Sequence, residues 1–90
     1  MSGKSFDREE VRARLLAVFR EHAPDGAELT AKTTILGDLG LDSLGVMEVV
    51  VDVETVFALS MPEDGLVGLE TIGDVEVALL SFLRARGRLR

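Results

Sequence analysis

Gly37-Asp-Leu-Gly-Leu-Asp-Ser-Leu-Gly-Val-Met-Glu48 is the stretch on which the reading of this 90-residue chain turns. A loop rich in Gly and Leu ends within it, and the longest apolar helical pattern of the chain starts from it. Val46, Val49, Val50, Val53 and Phe57 recur at i, i+3, i+4, i+7 and i+11, which is one face of an α-helix. Five valines within residues 46–53 also suit a buried strand. Glu48, Asp52 and Glu54 interrupt the run at helical rather than alternating spacing, which decides for a helix over residues 43–58. That helix carries Ser43 at its N-terminal tip, where unpaired backbone N–H groups and the positive end of the helix dipole favour a phosphate.

The same helix has a second apolar set. Leu44, Met47 and Val51 share a face of their own, with Glu48, Glu54 and Thr55 beside them. A helix in a small bundle buries one stripe, so this mixed apolar and acidic face is a candidate docking surface for another protein. The plainer alternative is that the preceding loop covers it, Leu44 above all.

Upstream, residues 6–22 read as the first helix. Asp7 and Glu10 have the spacing of a capping box, and Phe6 can pack on Val11 as a hydrophobic staple. Val11, Leu15, Val18 and Phe19 form its core face, and Pro24-Asp-Gly26 ends it. His22, the sole histidine, reads as a helix-end residue. Residues 23–42 form a long loop that Leu29, Ile35, Leu36, Leu39 and Leu41 pin across the helices, with a brief turn near Leu36–Leu39.

Downstream, Pro62 closes an exit loop, and Glu63 to Leu69 make a short helix weakened by Gly65 and Gly68. Leu66 and Leu69 anchor it, and Val67 is exposed. Thr71 caps a last helix with Asp74 three residues on, and Ile72, Val75, Leu79, Phe82 and Leu83 give its core face. Gly87 is the stop, and Arg88-Leu-Arg90 reads as a frayed tail. The fold expected is therefore all-α: a small four-helix bundle of three principal helices and a short third one, with a long loop between the first two. Residues 1–90 make a single domain with flexible ends at 1–5 and 87–90, read as a complete small protein.

Composition narrows the function. The net charge is −6, and there is no Trp or Tyr to stack on bases, which argues against a nucleic-acid surface. Ten acids lie between Asp38 and Glu76 without one Lys or Arg, a field that steers a basic partner. The chain has no cysteine, hence no disulfide, Cys-based metal site or thiol nucleophile of its own. No metal site is expected, nor any catalytic residue, because no His or Lys stands beside Ser43 to activate it as a hydrolase nucleophile. No apolar run approaches the length of a membrane span, and no signal peptide opens the chain. A cytoplasmic protein is expected.

Leu39-Gly-Leu-Asp-Ser-Leu44, Phe57-Ala-Leu-Ser-Met-Pro62 and Thr71-Ile-Gly-Asp-Val75, in that order and spacing, resemble the acyl carrier proteins over nearly the whole chain. The resemblance implies that Ser43 bears a covalent 4′-phosphopantetheine arm from coenzyme A, with Asp42 supporting the transfer and Leu44 beside the attachment point. A phosphopantetheinyl transferase supplies base and metal. It implies further that Leu44, Met47, Glu48, Val51 and Glu54 meet partner enzymes such as a ketosynthase or acyltransferase with basic docking patches. Val46, Val50, Val53, Leu66 and Leu69 line an interior for an acyl chain, and the protein works as a monomer. Gly45 and Thr55 stand where fatty-acid carriers are often acidic, so a discrete carrier of polyketide or other specialised metabolism fits as well as a fatty-acid carrier. A peptidyl or aminoacyl carrier of a nonribosomal pathway remains an alternative. So does an unmodified acidic helical interaction module in which Ser43 is only a helix cap.

Overall fold

The computed structural model describes residues 5–61 and 68–90, and these form three α-helices: α1 (Arg8–His22), α2 (Ser43–Phe57) and α3 (Ile72–Ala85). Each start is fixed by a side chain that accepts one of the backbone N–H groups a helix leaves unpaired at its first turn. The Asp7 carboxylate accepts from Glu10 N–H at 2.8 Å, and the Glu10 carboxylate returns the bond to Asp7 N–H at 3.1 Å. Asp42 caps α2, and Thr71 with Asp74 forms a second reciprocal box at α3. Ala58, in the left-handed region with φ 52°, ends α2, and Gly87 with φ 66° follows the cap of α3.

The core is aliphatic with three aromatic rings in it. Val11, Leu15, Val18 and Phe19 of α1 meet Val49, Val53 and Phe57 of α2 and Ile72, Val75, Leu79, Leu80 and Leu83 of α3. Phe6 packs edge-on against Phe57, ring centres 5.0 Å apart. On α3 the expected face is rotated slightly: Leu80 is buried, whereas Phe82 is only half-buried, its ring approached by Arg86. Across the other side of the bundle, His22 Nε2 lies 2.6 Å from Asp52 Oδ2 and ties the end of α1 to the middle of α2.

The long loop is held by backbone rather than by side chains alone. Ile35 N–H donates to Glu70 O (2.9 Å), Ile72 N–H to Thr33 O (3.0 Å) and Gly73 N–H to Ala31 O (2.8 Å). Loop carbonyls thus satisfy amides of the first turn of α3 that have no acceptor in the helix. A Cβ at Gly73 would stand 2.8 Å from Ala31 O, so only glycine permits this approach.

One expectation lies outside the described residues and one is corrected. The described residues contain three helices; the short helix placed at Glu63 to Leu69, with Leu66 and Val67, falls mostly on residues 62–67, outside the described residues. The C-terminal tail is not frayed. Phe6 N–H donates to Arg88 O (2.9 Å), Arg90 N–H donates to Phe6 O (2.8 Å), and Arg90 pairs with Glu10. Arg88 is buried, and its guanidinium donates to Phe57 O and, at 2.9 Å, to Ala58 O. Carbonyls left over at the C-terminus of α2 are what recruit the tail.

Candidate functional site

Ser43 is the first residue of α2 and is exposed. Among the described residues no hydrogen bond engages its hydroxyl. The capping task that a serine could perform here is carried out by Asp42, whose Oδ1 accepts from Gly45 N–H at 2.8 Å. Val46 N–H closes the first helical bond to Asp42 O at 2.9 Å. The Ser43 and Leu44 amides, having no acceptor in the helix, remain at the tip beside the hydroxyl. No Asp or Glu follows in the first turn of α2 to repel an anion. A phosphodiester on Ser43 therefore fits: the oxygen is accessible, uncommitted and at the positive end of the helix. Gly45 keeps this corner small, since a Cβ there would come within 3.2 Å of the Leu41 side chain.

The second stripe of α2 is open to solvent. Leu44 is 67%, Met47 65% and Val51 56% exposed, and Glu48 is exposed beside them. The loop does not cover Leu44. Glu54 differs from the rest of the expected face: it is half-buried, and its carboxylate accepts from Met61 N–H at 2.8 Å, holding the exit loop against α2. Thr55 turns inward to its own helix and donates to Val51 O. Leu36, placed by sequence among the residues that pin the loop, is 66% exposed instead. Its loop position carries no periodic signal that could have separated it from buried Ile35.

Beneath this surface lies a cavity of about 190 Å³; the ten described side chains that line it are all apolar. Phe19 and Val53 lie deepest, while Val46, Val50, Leu69 and Leu36 form its outer part. Val46 and Val50 follow Ser43 by three and seven residues, so all three share a side of α2 and the cavity opens one turn below the hydroxyl. Leu66, expected in the same lining, is outside the described residues.

Comparison with known proteins decides among the readings. Residues 10–79 match the family model described as the phosphopantetheine attachment site. The chain belongs to the acyl carrier protein family. It is 33% identical over 81 residues to an acyl carrier protein of Rhodococcus erythropolis, covering 89% of this chain and 88% of that one. It is 33% identical over 69 residues to the meromycolate extension acyl carrier protein of Mycolicibacterium smegmatis, covering 76% of this chain and 70% of that one. A solved Mycobacterium tuberculosis chain shares the fold, with a TM-score of 0.63 over 83% of this chain and 96% of that one at 24% identity.

As an acyl carrier protein the chain is a carrier and not a catalyst: its cofactor is covalent 4′-phosphopantetheine, and it is a substrate of transferase and synthase enzymes. When bound, that group supplies the thiol that a chain without cysteine lacks. Among the described residues no helix is long and apolar enough to cross a membrane, and no cluster of His, Asp or Glu could hold a metal ion.

Proposed function

We propose that Ser43 is the attachment residue and that the acyl chain carried from it shelters between α1, α2 and α3. The observation that carries this reading is the division of labour at the tip of α2. Asp42 holds the cap, and Ser43 keeps an exposed hydroxyl without a partner among the described residues. In the transfer, Ser43 Oγ bonds to the pantetheine-bearing phosphorus of the diphosphate of coenzyme A, the bond from that phosphorus to the bridging oxygen breaks, adenosine 3′,5′-bisphosphate leaves with that oxygen, and a base on the transferase takes the serine proton. Asp42 holds the helix start in place and can share the transferase's metal ion.

Leu44, Met47, Glu48 and Val51 form the surface that partner enzymes meet, with Glu54 contributing as the brace of the exit loop. The partners are a phosphopantetheinyl transferase and synthase enzymes, a ketosynthase or acyltransferase among them, that present basic patches to the acidic central stretch. An apolar cavity next to Ser43 favours fatty or polyketide acyl cargo over aminoacyl cargo, and the meromycolate extension named for one relative points the same way.

The experiment is intact mass after incubation with coenzyme A, magnesium and a promiscuous transferase. Wild type should gain one phosphopantetheine and Ser43→Ala none, while circular dichroism shows both folded. A folded wild type that several transferases leave unmodified would sink the assignment and favour the unmodified interaction module.

A further inference from the structure

Leu36 stands apart from the other nine described side chains that line the cavity. Those nine are buried or half-buried, whereas Leu36 is 66% exposed while still forming part of the wall. The backbone beneath it is fixed on both sides. Thr34 N–H donates to Asp38 Oδ2 (2.9 Å), Asp38 N–H returns to Thr34 Oγ1 (2.8 Å), and Leu39 N–H donates to Thr34 O (3.1 Å). Ile35 is buried and tied to Glu70 O, and a Cβ at Gly37 would stand 2.8 Å from Thr34 Oγ1. Motion at this rim therefore belongs to the Leu36 side chain, and exposed rotamers interchange in picoseconds to nanoseconds.

We propose that Leu36 is the gate of the cavity and a specificity-determining residue for cargo. The inference rests on the reading that an acyl chain attached at Ser43 enters this space. In the empty carrier the Leu36 side chain stands out in water at the mouth. An entering apolar tail gives it a surface to fold over, so tail and gate bury each other. The cavity slightly exceeds the roughly 150 Å³ space that takes a benzene ring, so the class favoured is an unbranched apolar tail of short to medium length. A polar or β-keto tail gains little from the gate, since the described lining side chains offer it no hydrogen-bond partner.

The test uses the holo-carrier loaded with acetyl or octanoyl groups, as wild type, Leu36→Ala and Leu36→Trp. Methyl NMR of Val46, Val50 and Leu69 reads entry of the tail, and hydroxylamine cleavage of the thioester reads its shelter. Octanoylation should shift these methyls in wild type. It should leave them unshifted in Leu36→Trp, where the indole fills the mouth. Cleavage of the octanoyl thioester should run about fourfold faster in Leu36→Ala, the worth of roughly one buried methylene. Acetyl-loaded chains, with no tail to shelter, should be cleaved alike in wild type and Leu36→Ala, and all three should accept the arm on Ser43 at equal rates. Wild-type shifts with both variants behaving as wild type would overturn the gate alone. Absence of shifts in octanoyl wild type would overturn the cavity reading, and the gate with it.

Discussion

Replacing Arg88 by alanine tests whether the tail is a structural strap. The guanidinium is buried, donates to Phe57 O and Ala58 O, and lies 5.9 Å from the centre of the Phe6 ring. Removing it strands two carbonyls at the C-terminus of α2 in a place water reaches poorly. A hydrogen bond from a charged donor contributes about 1.5–3 kcal/mol, so losing two should cost about 3 kcal/mol once the guanidinium's own desolvation is set against them. For a domain of this size each kcal/mol moves the melting temperature by about 4–8 °C, so a fall of about 12 °C or more is expected. Lysine should not rescue, because a single ammonium cannot span two carbonyls as the planar fork does. Arg86 provides the control: its bonds to Phe82 O and Ser60 O are exposed, and Arg86→Ala should change stability little. Thermal and urea unfolding followed by circular dichroism give the numbers. An Arg88→Ala loss below about 1 kcal/mol would refute the reasoning, because it would mean the carbonyls find water.

Two further outcomes concern the junction of the loop with α3. Gly73→Ala places a methyl 2.8 Å from Ala31 O, and the clash should cost about 1–3 kcal/mol and speed amide exchange at Ile72 and Ile35; unchanged exchange there would show that the loop yields freely. The Asp74 carboxyl is held below the usual 3.8 by the N–H groups of Glu70 and then Thr71, which donate to its charged form. A lowered carboxyl value stabilises the folded state above the ordinary range and loses that contribution as pH falls through the folded value. Wild type should therefore be more stable than Asp74→Asn in urea at pH 7, with the gap narrowing as pH falls below the ordinary carboxyl range; a gap that does not change with pH would contradict this origin.

Local signals in the chain were read correctly because their partners lie within one turn. The boxes Asp7–Glu10 and Thr71–Asp74, the valine stripe of α2 and the glycine after α3 all depend on contacts three or four residues apart. What sequence reading missed depends on distant partners. Arg88-Leu-Arg90 has the composition of a loose end, and only the carbonyls of Phe57 and Ala58 turn it into a strap. Glu54 shares the spacing of the proposed docking face, yet its carboxylate is taken up by Met61 N–H. At Ser43 the motif located the hydroxyl, but only the structure shows that Asp42 relieves it of capping.

The pairing of Phe6 with the tail has a consequence for how the carrier can be mounted. Both ends of the described chain meet beside Phe57, and Ser43 begins the same helix fourteen residues earlier. At 1.5 Å per residue the two poles are about 21 Å apart. A surface linker or a fused enzyme joined after Arg90 would leave from the pole opposite the serine. The protein can thus be tethered by its base while the tip that carries Ser43 stays clear of the tether.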